Sequence, residues 1–504
     1  MDKNRREEYI YVSAAFLVLS LLVFSSKLMA YLENSHGWVS SEQLAMILRS
    51  TYEYGFVGFR NWFSTGFDYF PKVPFINYLV FNIILLPFKN PWSQLFAARL
   101  VMDLVFLLSV FLSYKVLREE TKDWRISLGA TLLGFSGYFM AFYHDMISPE
   151  AFTLLSFIIS AWAFQKFQSQ DLKKGFGYVL LSSLMGHLVI NILPYMVYFV
   201  LNSARYFKDK NPARLKLLKI SLLALSLSAF FSGSFLVYNV YREAKLRNVD
   251  FDQTDIFTSG KRRMDINSDY QQTYGEDLAW HKYTYVQTLR LGQAIIPYIL
   301  QRKIYGWILG LFGLWGLFWV SKNRMVAALI SRVKTAALEI RVSVFIFIAL
   351  AGCFPFIILR GYALPHDFSA IYFVLPATLI WYLILKTLST KHYLPVFILS
   401  LGILCSSFLR STVKKNAMVG TNEEILKEFS HINELISSSH QKVFYLDGHK
   451  EIVPKLPHVV GAFMTNHIIA GDLEKADYII SMKNDGKSSL TPDHKHIFLI
   501  KPAP

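Results

Sequence analysis

The sequence is short of charge. Only 17% of its 504 residues are Asp, Glu, Lys or Arg, while 53% are hydrophobic and 16% aromatic. Soluble domains carry roughly 25% charged residues, so this shortage excludes an ordinary soluble or disordered chain. With a mean hydropathy of +0.32, the chain reads as an all-α polytopic membrane protein. Cysteine is almost missing as well. Cys353 and Cys405 both sit inside apolar runs, so no disulfide framework and no thiolate metal site is implied. The C-terminal tail carries no G-x-G-x-x-G or Walker pattern, which leaves a nucleotide-binding role unsupported. No duplication of the chain is visible, as a transporter built from repeats would require.

The formal net charge of +16 does not point to nucleic acid. Lys and Arg lie mostly in short loops between apolar runs, the bias that sets orientation in a membrane. Loops 1–8, 118–125, 165–176, 204–219, 321–341 and 386–393 are therefore expected on the cytoplasmic side. Segments 33–93, 144–150, 242–294, 360–368 and everything after Arg410 are expected outside. The first apolar run is about 20 residues, long enough for a hydrocarbon core of ~30 Å. Ser26-Lys-Leu-Met-Ala-Tyr31 is a poor cleavage site, so the first helix is expected to be retained. Further spans are expected near 94–117, 126–143, 151–164, 220–241, 304–320, 342–359, 369–385 and 394–409. Segment 178–201 is expected to break into two short segments near Asn191 and Pro194, which keeps the basic cluster from Arg205 to Lys219 inside. The total is about eleven spans. Lys261-Arg-Arg263 in the loop 242–294 runs against the rule, which long loops obey weakly.

Residues 1–410 thus form a transmembrane domain with two long external loops, 33–93 and 242–294. Residues 411–504 change character. Ile425, Leu426, Phe429, Ile432 and Leu435 have helical spacing, and short apolar runs follow at 443–446, 459–463, 478–480 and 496–500. That pattern is expected to form a small extracytoplasmic α/β domain of roughly 85 residues, serving as a lid or for acceptor recognition.

Several residues are candidates for chemistry. Glu42 follows Ser41 at the start of an amphipathic stretch with Leu44, Ala45, Ile47 and Leu48. Acids favour helix starts anyway, so plain helix-start chemistry competes with a catalytic role. Phe70-Pro-Lys72-Val-Pro74 is a stiff turn presenting one ammonium, either snorkelling or meeting a phosphate at headgroup depth. In His144-Asp-Met-Ile-Ser-Pro-Glu150, Ser148, Pro149 and Glu150 read as cap, first-turn proline and first-turn acid. Asp145 is harder to assign to folding alone, because an acid at the rim can share a substrate or a metal. His187 reads as a packing histidine. Arg99 and Asp103 are four apart on one apolar helix, either a mutually neutralising pair or part of a site. Arg360 and His366 lie at another external rim and could join Lys72 around an anionic headgroup.

The order of these features resembles the GT-C membrane glycosyltransferases, and most closely the group of protein O-mannosyltransferases and lipid A aminoarabinose transferases. Trp38-Val-Ser-Ser41-Glu42 fits the frame of the family's first external loop, with Ser41 where an aspartate is expected. Tyr69-Phe-Pro-Lys72-Val-Pro74 fits the segment that engages the donor phosphate, and Ala97-Ala-Arg99-Leu100 fits the arginine helix start. Ser148-Pro149 replaces the family's Asp-Pro, with Asp145 three residues earlier. Leu364-Pro-His366 through Leu375-Pro376 resembles the late rim-and-helix segment. The resemblance spans roughly residues 1–390.

The resemblance implies a sugar donor on a polyprenyl phosphate and a hydroxyl acceptor on a lipid, glycan or protein. It further implies Glu42 as base with Asp145 as the other catalytic carboxylate. Lys72, Tyr69, Arg99, Arg360 and His366 would surround the phosphate. No metal or cofactor is demanded, although a divalent metal could be held through Asp145. Two other readings stay open: a membrane carrier for a lipid-linked or anionic solute, and an inactive GT-C relative, which Ser41 and Ser148 permit. The cysteine usage fits a bacterial inner membrane with the site facing the periplasm or exterior. Single cysteines placed at Ser35 and Ser438 should therefore react with an impermeant maleimide in intact cells. Protection of both would refute the topology.

Overall fold

The computed structural model describes residues 3–25, 59–60, 67–68, 80, 83–84, 87, 91–188, 190–254, 280–301, 344–358, 367–387, 393–435, 443–447, 468–470, 478–482 and 498–502. The first helix is α1 (Lys3–Ser25), followed by the two-residue strands β1 (Phe59–Arg60) and β2 (Phe67–Asp68), which pair antiparallel. Then come α2 (Pro91–Thr121), α3 (Trp124–Gly134), α4 (Tyr138–Tyr143), α5 (Pro149–Gln168) and α6 (Leu172–Ser183). They are followed by α7 (Leu193–Asp209), α8 (Pro212–Arg247), α9 (Trp280–Ile295), α10 (Val344–Ile358), α11 (Val374–Thr387) and α12 (Tyr393–Leu435).

Five stretches among the described residues are long and apolar enough to cross a membrane: Asn4–Phe24, Phe96–Thr121, Pro212–Lys245, Ser369–Lys386 and Tyr393–Lys415. The expected span at 304–320 lies outside the described residues. So does the 33–93 loop, apart from β1, β2 and a few isolated positions. Helix α12 has 43 residues, or roughly 64 Å at 1.5 Å per residue. It continues without a break across Arg410, well beyond what a ~30 Å hydrocarbon layer needs.

Two helices break where the backbone can be rescued. Segment 178–201 divides as expected: α6 ends at Ser183 and α7 starts at Leu193, with a 3-10 turn at Ile190–Ile192 between them. Gly186 takes φ +74, a left-handed conformation that glycine adopts at no steric cost. The Asn191 side chain donates to the Met185 carbonyl across the break. The expected span 126–143 is not one helix, which corrects the sequence reading. It stops at Gly134 and restarts at Tyr138. Between them, the Ser136 carbonyl accepts from the Tyr298 N–H at 2.9 Å, and Gly137 pairs with Pro297. A second segment of chain thus replaces the lost helical bonds, as the apolar interior requires.

Buried side chains of α2, α3, α4, α5, α7, α11 and α12 share one core. Small residues bring backbones close in it. Gly134 lies against Thr378 and Gly137 against the Ala294 carbonyl, the usual way helices approach in lipid. At one end, α1 is clamped to the α2–α3 corner. The Tyr114 hydroxyl donates to Glu8 at 2.6 Å and Arg118 to the same carboxylate at 3.1 Å. Arg125 pairs with Glu7 at 3.0 Å, and the Trp124 indole donates to Asn4 at 2.9 Å. Tyr11 stacks on Trp124.

In the tail, β3 (Val443–Asp447), β4 (Ile468–Ala470), β5 (Tyr478–Met482) and β6 (Phe498–Pro502) form a sheet of order β4-β3-β5-β6. Strand β3 runs parallel to β4 and β5, and β6 antiparallel to β5. The apolar run at 459–463 lies outside the described residues.

The two kinds of glycine environment give opposite expectations. A methyl group at Gly137 would meet the Ala294 carbonyl, whereas nothing lies near an added carbon at exposed, helical Gly177. Gly137→Ala should cost about 1–3 kcal/mol through overpacking, while Gly177→Ala should gain roughly 0.5–1 kcal/mol of helix stability. Thermal unfolding of both variants in one detergent checks the signs.

Candidate functional site

The turn 144–148 joins α4 to α5, and its polar residues face inward. His144 and Asp145 are 3% and 0% exposed. Two residues of α2, Arg99 and Asp103, lie on the same side of the core at 0% exposure each, and Lys415 of α12 enters at 2%. The Lys415 Nζ donates to Asp145 Oδ1 at 2.6 Å. His144 Nε2 stands 3.6 Å from Asp103 Oδ1, and its Nδ1 stands 3.1 Å from the Ala141 carbonyl. The imidazole is walled by Phe106 and Phe408.

Two cationic side chains, Arg99 and Lys415, share this group with two aspartates, and the close ion pair in it is Lys415 with Asp145. Burial pushes the Asp145 carboxyl up, but the Lys415 ammonium, helped by Arg99, outweighs it and holds the carboxyl below the usual aspartate range. Burial, with the Lys415 charge beside it, pushes His144 down to about 3. His144 is therefore neutral and serves as a polar spacer between the two aspartates. Buried charges are expensive and are kept where they are closely paired.

The other flank of the turn is tied down separately. Ser148 occupies the cap position of α5 in extended backbone, without a hydrogen bond from its side chain, and Pro149 follows in the first turn. Glu150 is buried and accepts from His187 Nε2 at 3.3 Å. The His187 backbone N–H donates to Thr153 Oγ1 at 2.8 Å. His187 is thus a paired core histidine that fixes the α6–α7 break against the start of α5.

Of the residues singled out from the sequence, Arg99 and Asp145 are brought into one group, together with Asp103. Glu42, Tyr69, Lys72, Arg360 and His366 lie outside the described residues. Lys415 was not anticipated. A Lys414-Lys415 pair after an apolar run reads as ordinary snorkelling. The only hint is that helical spacing continues past it. Among the described residues, no three His, Cys, Asp or Glu side chains group as a metal would need.

No protein-family model matches the sequence, and no curated protein matches it. Solved structures do. The crystal structure of ArnT from Cupriavidus metallidurans bound to undecaprenyl phosphate aligns with a TM-score of 0.55 at 11% identity, covering 94% of this chain and 93% of that chain. The same enzyme in the apo state aligns over 96% of this chain and 94% of that one, with a TM-score of 0.45 at 11% identity. The apo oligosaccharyltransferase of Archaeoglobus fulgidus aligns over 94% of this chain and 70% of that one, with a TM-score of 0.47 at 10% identity. The chain thus has a fold similar to that of ArnT along nearly its whole length.

Asp145→Asn should be costly for stability, because it leaves the Lys415 ammonium buried without its counter-charge, a loss of about 3–5 kcal/mol. A carboxyl held low contributes stability that is complete above its unfolded value near pH 4 and is lost as pH falls through its lowered folded value. The gap between wild type and Asp145→Asn should therefore narrow in acid. Unfolding midpoints measured from pH 7 downward check this.

Proposed function

We propose that this protein is an inverting glycosyltransferase that moves a sugar from a polyprenyl-phosphate donor to a hydroxyl of a lipid, glycan or protein. One observation carries the reading: the chain-long likeness to ArnT, whose structure holds undecaprenyl phosphate. The sequence order of an acid-bearing first loop, the Tyr69–Pro74 segment and the Arg99 helix start agrees with it. The setting is a bacterial inner membrane, with the site at the periplasmic or external surface and the C-terminal α/β domain as a lid or acceptor platform.

The donor tail would stay in the bilayer, with its phosphate at the rim. Glu42 would take the acceptor hydroxyl proton as that oxygen attacks the anomeric carbon from the face opposite the phosphate. The sugar–phosphate C–O bond would break with inversion, and the polyprenyl phosphate would leave with the bonding electrons. A general base must reach the acceptor proton, and Glu42 would do so from the loop that follows the first helix. Lys72, with Tyr69, Arg360 and His366, would stabilise the charge gathering on the leaving phosphate, while Arg99, fully buried in α2, would add its charge from within the helical body. Asp145 would support the rim from inside, since its carboxylate is already engaged by Lys415.

Transfer from a radiolabelled undecaprenyl-phosphate sugar into membranes tests the reading. Glu42→Gln keeps the shape and removes the base, so turnover should fall by about 10²–10⁴. Lys72→Ala removes a cation from the phosphate and should act mainly by raising the donor KM. Full transfer by Glu42→Gln combined with Asp145→Asn would end the carboxylate mechanism. No transfer by wild type with any such donor would end the reading itself.

A further inference from the structure

Three consecutive cations of α12 are drawn onto one elbow of the helical body. Arg410 donates to the carbonyls of Tyr298 and Ile299 at 2.8 and 3.1 Å, with its guanidinium over the Tyr298 ring. Lys414 lies over Phe142, 4.4 Å from the ring centroid, and donates to the Tyr138 hydroxyl at 3.3 Å. Lys415 goes inward to Asp145, a residue 270 positions away in the sequence. Lysines that follow a spanning helix ordinarily carry their ammonium out to water. Lys415 does the reverse and becomes nearly inaccessible. Such burial is tolerated only with excellent pairing, so the 2.6 Å contact with Asp145 is the reason for its course.

The pair also joins two elements that nothing in the local sequence brings together. Asp145 lies in the short turn between α4 and α5, a turn whose other flank is held by Glu150 and His187. Lys415 lies on the helix that continues to Leu435 and precedes the strands of the tail.

We infer that Lys415 is a positioning residue: through Asp145 it latches α12 to the 144–148 turn and fixes that turn at the rim of the transferase site. This rests on the transferase reading for the site, though not for the latch. In that reading the turn frames the rim where donor phosphate and acceptor meet, and loosening it misplaces groups without removing any that touch substrate. The C-terminal helix is then part of the site's framework.

The test places a single cysteine at Ser148, which is 5% exposed and makes no cap hydrogen bond, in a background with Cys353→Ser and Cys405→Ser. Reaction with N-ethylmaleimide in native membranes reports on the turn. Lys415→Met keeps length and volume but loses the charge, whereas Lys415→Arg keeps the charge. Lys415→Met should label several-fold faster at position 148. Its kcat for transfer should fall on the order of 10²-fold with KM little changed, the size of effect that follows a misplacement of about 1 Å. Lys415→Arg should stay near wild type in both measures. A residue that only fills space would give the opposite order, with Met tolerated and Arg harmful, and that result would overturn the proposal.

Should Lys415→Met fail to accumulate, adding Asp145→Leu removes the uncompensated carboxylate and should restore its yield. Transfer by that double variant should remain low, and full transfer would refute the latch. Failure of the transferase reading would look different: wild type would show no transfer, while labelling at position 148 still responded to Lys415→Met.

Discussion

An ammonium and a carboxylate removed together from water set the main constraint on this protein. Each ion loses several kcal/mol of hydration on burial, and only close, well-directed pairing returns it. Lys415 and Asp145 meet that demand at 2.6 Å, and their position dictates much else. The turn 144–148 must point its second residue inward, which requires the chain to stop and restart as helix on either side. Helix α12 must pass this turn with one face buried, which carries Arg410 and Lys414 onto the same elbow. Helix α2 must offer a polar surface opposite, and the buried Arg99 and Asp103 supply it.

The same logic governs backbone groups. Where α9 ends at Ile295, its last carbonyls have no helical partner, and lipid cannot supply one. The Trp381 indole donates to the Ile295 carbonyl at 2.8 Å, and Gln301 donates to that of Ile296 at 2.6 Å. Arg410 does the same for the 3-10 turn at Tyr298–Leu300. Side chains from α11 and α12 thus complete an irregular stretch that pairs with the Ser136-Gly137 break. Helix α2 ties this region to the opposite end of the bundle. Arg118, in the clamp with Glu8, lies 19 residues beyond Arg99, roughly 28 Å along the axis at 1.5 Å per residue. That is close to the thickness of a hydrocarbon core. Polar groups gather at both levels, and the helix surface between them is almost wholly apolar.

Long apolar runs are legible in the sequence because lipid demands about 20 such residues wherever a helix crosses. The break at Asn191 and Pro194 was legible too, since only a break keeps the basic residues 204–219 on one side. The break at Phe135-Ser-Gly137 was not. It contains no proline, and its stability comes from Pro297 and Tyr298, residues far away in the chain. The site divides in the same way. Arg99, Asp103 and Asp145 stand out as charges within or beside apolar runs. Lys415 does not, because a lysine at a membrane boundary has an ordinary explanation, and its partner is visible only once the helices are packed. Glu150 carried a sufficient local explanation as a first-turn acid, which concealed its pairing with His187.

At 11% identity to ArnT the likeness is one of fold, and a fold does not by itself carry an activity. The placement of carboxylates therefore matters more than the fold. Ser148 lies at the positive start of α5, and a carboxylate there would favour that helix end. Three residues earlier, Asp145 is turned toward α2 and α12 and neutralised by Lys415. An acid three positions before the helix start is thus a buried counter-ion and not a group that favours the helix end. An acceptor hydroxyl needs a base that is accessible and not already spent on a cation. On the transferase reading that requirement falls to Glu42, which follows Ser41 in the sequence.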